Sequence, residues 1–406
     1  MPVNLSEPRH LLPVKGVQLG VASAGIKYAD RHDVVVLNFI EGTRSSAAFT
    51  QNVFCAAPVV VAKQHLQSAS PRALVINSGN ANAVTGELGL QSAKQSCQRL
   101  ADKLGLDEKQ ILPFSTGVIG EQLPMDRMIL GIDEAALNLS ENHWLEAAKA
   151  IMTTDIVAKA VSKQVEIDGQ TVTVTGMAKG SGMICPNMAT MLAYVVTDAK
   201  ASQEVLDAFM KQITANSFNR ATVDGDTSTN DAFVLSATQQ VQNAEIDSTE
   251  TASAHILFEV LNEVAIELAQ AIVRDGEGAT KFVEIKVVGG ESQQVCDAVA
   301  YTVAHSPLVK TALFASDPNW GRLLMAIGRA ETQGLFVEKI SVSVNDLAIV
   351  TFGEKDSGYT EEKGQAVFNE SELKIDISLG DSEFSKIVWT SDLSHEYVSI
   401  NADYRS

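Results

Sequence analysis

An alanine-threonine pair, Ala189-Thr190, stands where an irregular segment gives way to a strongly apolar one. In the stretch Lys179 to Asp198, KGSGMICPNMATMLAYVVTD, two glycines and a proline forbid any regular element before Asn187. A threonine hydroxyl is a poor nucleophile until a base removes its proton, and the threonine's own α-amine can be that base. An internal threonine has no free amine. Attack by Thr190 on the carbonyl of Ala189 would convert the peptide to an ester. Hydrolysis of that ester would leave Thr190 as a new N-terminus, with an amine of reference pKa about 7.7–8.0. From spacing alone, an Ala-Thr pair at a strand entrance is more often simple packing.

A second string, Phe114-Ser115-Thr116-Gly117-Val118-Ile119-Gly120, sets a hydroxyl beside a glycine N–H. Two such donors converging on one oxygen are what a tetrahedral oxyanion requires, although the string alone reads as a turn. Cys185 is a rival nucleophile with no histidine near it in sequence. The order Lys179-Gly180-Ser181 is not a phosphate-binding loop, which needs Gly-Lys-Ser/Thr after a longer spacer. Asn219 to Asp231 holds three aspartates but no glutamate at calcium-loop spacing, so it reads as a hydrogen-bonded turn supporting the site. Thr153-Thr154-Asp155 reads as a helix end, Glu277 as a solvated helix terminus, and Asn401 to Ser406 as a frayed tail.

The blocks KGSGM, PNMATML and TDA resemble the signature of the ornithine acetyltransferase family, the bifunctional arginine-biosynthesis proteins that cleave themselves at Ala-Thr. INSGNANA (Ile76 to Ala83), STGVIG (Ser115 to Gly120), DGDTSTND (Asp224 to Asp231), SDPNWGR (Ser316 to Arg322) and the terminal NADYRS follow in the family's order, so the resemblance spans essentially the whole chain. It implies cleavage between Ala189 and Thr190 into an alpha chain, 1–189, and a beta chain, 190–406, that begins with the nucleophile. It implies acetyl transfer from N2-acetyl-L-ornithine to L-glutamate through an acetyl-Thr190 ester, the work of a glutamate N-acetyltransferase in arginine biosynthesis. Thr116 and Gly117 match the family's oxyanion pair. Thr153, Lys179, Thr190, Glu277, Asn401 and Ser406 match its substrate contacts, Lys179 for a carboxylate and Glu277 for a cationic amine. The resemblance suggests a heterotetramer of two alpha and two beta chains. No cofactor is expected, and use of acetyl-CoA as a second acetyl donor stays open.

The elements that must carry these residues follow from periodicity. Thr171 to Thr175 alternates as a strand, and Met191 to Thr197 is a short apolar block that reads as a buried strand. Val34 to Phe39, Val59 to Ala62 and Ala73 to Asn77 read as strands, as do Ile340 to Val344, Ala348 to Phe352, Leu373 to Leu379 and Lys386 to Thr390. Helices are expected over Gly89 to Leu104, stopped by Gly105, from a cap at Ser140 through Ile151, after Ser202, and from about Leu257 to Arg274. Ser306-Pro307 and Asp317-Pro318 read as two further helix starts. Intermingled strands and helices predict an α/β or α+β sandwich, sheets flanked by helices and divided into two lobes, which the resemblance identifies with a self-cleaving, N-terminal-threonine fold.

Composition sets outer bounds. At 406 residues the chain exceeds one small core, and its net charge of -19 argues against nucleic acid or an anionic membrane as partner. The start, MPVNLSEPRH, shows no signal-peptide pattern, so a cytoplasmic location is expected. Glu259, Glu263 and Glu267 interrupt the longest apolar helix and rule it out as a membrane span. Four scattered cysteines without a CxxC pair predict reduced thiols and no metal site. Two other readings remain at this stage: a self-processed threonine aminopeptidase or amidohydrolase, and a non-catalytic acidic binding protein.

Overall fold

The computed structural model describes residues 2–185 and 191–402. The chain forms two compact units, one of Ser6–Asn219 with Asp226–Ile272, the other of Met1–Leu5, Arg220–Gly225 and Val273–Ser406.

The larger unit runs β1 (Val17–Ala22), β2 (Val34–Phe39), β3 (Arg44–Phe49), α1 (Ala57–Ser68), β4 (Ala73–Asn77), α2 (Gly86–Leu104), β5 (Ile111–Ser115), α3 (Met125–Leu137) and α4 (Trp144–Ala150). It continues through β6 (Lys159–Ile167), β7 (Gln170–Lys179), β8 (Leu192–Thr197), α5 (Gln203–Asn216), β9 (Ala232–Ala237) and α6 (Ala252–Arg274). Two sheets result, ordered β1-β2-β4-β5 and β3-β9-β8-β7-β6. In β2, Val35, Leu37 and Phe39 enter the core between the sheets while Val34 and Val36 enter the core under α2 and α3. Apolar residues at five of the six positions of β2, on both of its faces, are the pattern of a sheet covered on both sides. Phe114 of β5 meets Tyr194 of β8 edge-on at 5.4 Å across the interior. On the far face of the five-stranded sheet, a Cβ on Gly176 would lie 3.1 Å from Leu268 and 3.2 Å from Val264, so glycine lets α6 approach β7 closely. The layers are therefore helix, sheet, sheet, helix.

The smaller unit runs β10 (Phe282–Gly289), α7 (Gln293–Ala304), α8 (Pro307–Phe314), α9 (Trp320–Gly328), β11 (Ser341–Val344) and β12 (Leu347–Thr351). It ends with β13 (Glu354–Lys355), α10 (Glu361–Phe368), β14 (Glu372–Ser378), β15 (Ser382–Ser391) and α11 (His395–Ala402). Its single sheet is ordered β13-β12-β11-β14-β10-β15, and Val283, Ile285 and Val287 pack with Val299, Val303, Leu323 and Ile327 of α7 and α9. Among the described residues no helix is long and apolar enough to cross a membrane.

The mixed architecture of sheets flanked by helices is the one the pattern indicates. Gly105 ends α2 with φ +68°, and the Ser202 and Ser306 side chains accept from Val205 N and Val309 N at the starts of α5 and α8. Three expectations fail. Val59 to Ala62 lies in α1, because Pro58 starts a helical first turn that a four-residue apolar run does not reveal. Ser140 caps nothing; its backbone exchanges hydrogen bonds with Leu19, and α4 begins at Trp144. The helix after Asp317-Pro318 begins only at Trp320. Helix α3 went unread because Pro124, not a hydroxyl residue, precedes it.

Tyr194 is fully buried and its hydroxyl has no hydrogen-bond partner among the described residues. An orphaned buried hydroxyl costs about 1–3 kcal/mol. Tyr194→Phe is therefore expected to raise the urea midpoint of unfolding, and a lowered midpoint would contradict this account of the core.

Candidate active site

β5 delivers Ser115 to the edge of its sheet, and the chain then runs through Thr116 and Gly117. Thr116 N donates to Asn77 O at 3.0 Å, and Asn80 forms β-bridges with Thr116 and Val118. Gly117 has φ +134°, and a Cβ there would lie 2.3 Å from the carbonyl carbon of Gly79, so only glycine fits. The Asn77 to Asn80 turn, braced by Asn77 Nδ2 to Asn80 O and by Ser115 Oγ to Asn77 Oδ1, is the frame of this segment. Gly117 N–H makes no hydrogen bond among the described residues. Thr116 Oγ1 accepts from Lys179 Nζ at 3.2 Å, which leaves the hydroxyl proton to donate. Two donors thus stand side by side, one of them polarised by an ammonium.

Lys179 is the last residue of β7 and is buried rather than a surface lysine. It shares its surroundings with Asp155 and Lys159, both side chains fully buried. Asp155 Oδ1 accepts from Lys159 Nζ at 2.6 Å and from Gly180 N at 2.7 Å, and Oδ2 accepts from Thr153 N at 3.0 Å. Burial alone would push the Asp155 carboxyl up; the Lys159 and Lys179 ammoniums and these hydrogen bonds outweigh it and hold it far below the ordinary carboxylate range. One carboxylate against two ammoniums leaves the cluster with a positive balance, suited to a substrate carboxylate. Thr154 Oγ1 and Ser181 Oγ, 2.7 Å apart, tie the same two segments together.

The aspartate-rich turn supports the site as expected. Asn230 Nδ2 donates to Ala81 O and Ser115 O at 2.6 and 2.9 Å, and Asp231 Oδ1 accepts from Met191 N at 3.0 Å. In the smaller unit Glu277 is buried, and its Oε2 accepts from Asn401 Nδ2 at 2.7 Å. Asn401 lies in α11 and not in a frayed tail. Gly278, at φ +67°, sits so close to Ser394 and Tyr397 that a Cβ would fall 2.5 Å from Ser394 Oγ.

The structure therefore brings Thr116, Gly117, Lys179 and Thr153 into one neighbourhood and pairs Glu277 with Asn401. Ala189, Thr190 and Ser406 lie outside the described residues. Asp155, Lys159 and Asp231 are site residues that pattern reading missed. The i, i+4 spacing of Asp155 and Lys159 was the one available signal, and the structure makes it a buried pair at the entrance to β6. Among the described residues no group of three or more His, Cys, Asp or Glu side chains is placed to hold a metal.

A buried cationic cluster beside two adjacent hydrogen-bond donors is geometry that acyl transfer can use. The ArgJ family model matches residues 18–406. Over the full length of both chains, this protein is 52% identical to the arginine biosynthesis bifunctional protein ArgJ of Pseudomonas fluorescens Pf0-1 and to that of Pseudomonas syringae pv. tomato DC3000. Among solved structures, the ArgJ of Bacillus halodurans is 35% identical, covering 52% of this chain and 97% of its own, with a TM-score of 0.49. Ornithine acetyltransferase of Mycobacterium tuberculosis, solved with ornithine, is 32% identical, covering 43% and 92%, with a TM-score of 0.38. The chain belongs to the ArgJ family. It is an acyltransferase of arginine biosynthesis, which disfavours both the hydrolase and the binding-protein readings.

Two outcomes test the geometry. Thr116→Ala is expected to slow acetylation on the order of 10²–10³-fold with the fold intact, and an unchanged rate removes Thr116 from the chemistry. Asp155→Ala leaves Lys159 buried without its counterion and is expected to cost about 3–5 kcal/mol. Because the folded pKa of Asp155 is depressed, its contribution is full above the unfolded value of about 3.9 and is lost as pH falls through the folded one. Urea unfolding across an acid series should therefore show wild type converging on the variant, and parallel curves would refute this.

Proposed function

We propose that the protein transfers the acetyl group of N2-acetyl-L-ornithine to L-glutamate by a ping-pong route through acetyl-Thr190. The observation that carries this reading is the Thr116 hydroxyl, fixed by Lys179 beside the Gly117 N–H. In it, the Ala189–Thr190 bond cleaves itself and frees the Thr190 amine. That amine takes the hydroxyl proton while Oγ attacks the acetyl carbonyl, and the oxyanion forms against Thr116 and Gly117. The C–N bond breaks, the proton passes to the departing ornithine amine, and the glutamate amine then takes the acetyl group from the ester. Lys179 and Thr153 receive a substrate carboxylate; Glu277, braced by Asn401, receives a cationic amine, with Ser406 as a further contact.

The β7–β8 pairing supports this reading, since Lys179 lies opposite Leu192 and the two strands flank the cleaved bond. Fragments 1–189 and 190–406 would stay joined by one sheet. We further propose that acetyl-CoA serves as a second acetyl donor to glutamate, that two alpha and two beta chains assemble, and that the enzyme works in the cytoplasm.

A denaturing gel of purified protein is expected to show two pieces, the larger beginning Thr-Met-Leu on N-terminal sequencing. Thr190→Ala should give one uncut, inactive chain, and transfer activity in that variant would end the proposal. Glutamate acetylation from acetyl-CoA tests the second donor directly. Light scattering should give twice the 43.4 kDa of one chain.

A further inference from the structure

We infer that Asn230 is the positioning residue for the oxyanion donors, its side-chain amide setting where the Thr116 hydroxyl and the Gly117 N–H point. This rests on the oxyanion role proposed above for that pair.

The segment that carries the two donors has little stiffness of its own. β5 ends at Ser115, and Gly117, at φ +134°, has no side chain with which to pack. Its course must therefore be imposed by partners. One is Asn77 O, which accepts from Thr116 N at 3.0 Å. Asn230 supplies two more, its Nδ2 donating to Ser115 O at 2.9 Å and to Ala81 O at 2.6 Å. Ser115 O and Thr116 N belong to one planar peptide group, so anchoring both ends fixes the plane from which Thr116 continues. Beyond Gly117, Val118 O accepts from Ala81 N at 2.9 Å, so the residue that Asn230 holds is the one that holds Val118. A single amide thus grips the donor segment before and after the glycine.

The chemistry of that amide is matched to the task. Carbonyls only accept, so the atom facing Ser115 and Ala81 is the nitrogen, and both of its protons are used there. Its Oδ1 accepts from Thr229 Oγ1 at 2.6 Å, which opposes turning the amide over. Asn230, Ser115 and Ala81 are all buried, so no water stands in for the amide if it is removed. The residues beside Asn230 are themselves held: Ala56 N donates to Thr229 O at 2.9 Å and Thr50 N to Asp231 O at 3.0 Å. Met191 N donates to Asp231 Oδ1 at 3.0 Å, so the turn that braces the donors also holds the residue before β8. Ser115 ends a strand of the four-stranded sheet, whereas Asn230 leads into β9 of the five-stranded one. The donors precede the proposed cleavage bond and their brace follows it, which would make the oxyanion hole a joint product of both fragments.

Asn230→Ala removes both hydrogen bonds. kcat and KM for acetylornithine are measured on the folded, cut variant, on Thr116→Ala and on the double variant. Misplacing a reacting group by about 1 Å costs on the order of 10²-fold, so kcat is expected to fall by about that factor with KM unchanged. The double variant should be less than about tenfold slower than Thr116→Ala alone, because a brace that acts through Thr116 then has little left to position. A purely structural role makes the two losses multiply, and multiplied losses overturn the inference, as does a wild-type kcat in Asn230→Ala. A folded variant that stays uncut also overturns it, by moving the role of Asn230 to the cleavage step. A wild-type kcat in Thr116→Ala would instead sink the oxyanion reading itself, and this inference with it. Should Asn230→Ala not fold, Asn230→Asp decides. Its carboxyl can donate to Ser115 O only while protonated, so kcat relative to wild type is expected to fall as pH rises, and a ratio that stays level or climbs overturns the inference.

Discussion

The buried carboxylate of Asp155 is the constraint on which the larger unit's site depends. Two ammoniums and two backbone N–H groups converge on it, joining the Thr153 loop, the first residue of β6 and the end of β7. Ions inside a protein are tolerated only when their hydrogen bonding is nearly complete, so the arrangement has few alternatives. Lys179 inherits that rigidity. Its ammonium is held from one side by the field of Asp155 and from the other by the Thr116 hydroxyl, and both its strand and the Gly117 turn are packed on glycine-tight backbone.

The sheet order explains how such a site can tolerate a break in its own chain. In β3-β9-β8-β7-β6, strands β3, β6 and β7 precede residue 190 while β8 and β9 follow it. The antiparallel β7–β8 ladder and the β3–β9 ladder would both join the two fragments of the proposed cleavage. A cut between them gives up one covalent connection and none of those backbone hydrogen bonds. The apolar filling between the sheets, with Phe114 against Tyr194, likewise draws on both sides of the bond.

The sequence was most informative where local chemistry decides the outcome. Alternation in Thr171 to Thr175, the apolar block after Met191, the αL glycine at Gly105 and the hydroxyl caps at Ser202 and Ser306 each depend on near neighbours, and each is found as expected. Short apolar runs do not carry their period, and so Val59 to Ala62 was misread. The site was legible only through resemblance. Thr116 and Lys179 are 63 residues apart, and Glu277 and Asn401 are 124 apart. No periodicity links such pairs. Asp155 looked like a helix stop because Gly180 N and the Lys179 ammonium reach it only through the tertiary fold.

The cluster's charge balance bears on substrate selection as well as on stability. Asp155 is held ionised far below the usual range by the two ammoniums and its hydrogen bonds, so its charge does not follow solvent pH near neutrality. Acetylornithine and glutamate both carry an α-carboxylate, so in the proposed ping-pong route one cationic pocket would serve donor and acceptor in turn. What distinguishes them is the remainder of the side chain, cationic in ornithine and anionic in glutamate. Within the smaller unit, Glu277 accepts from an asparagine amide that can turn either its donor or its acceptor face, so on the proposed reading that pair would be the group to meet this remainder.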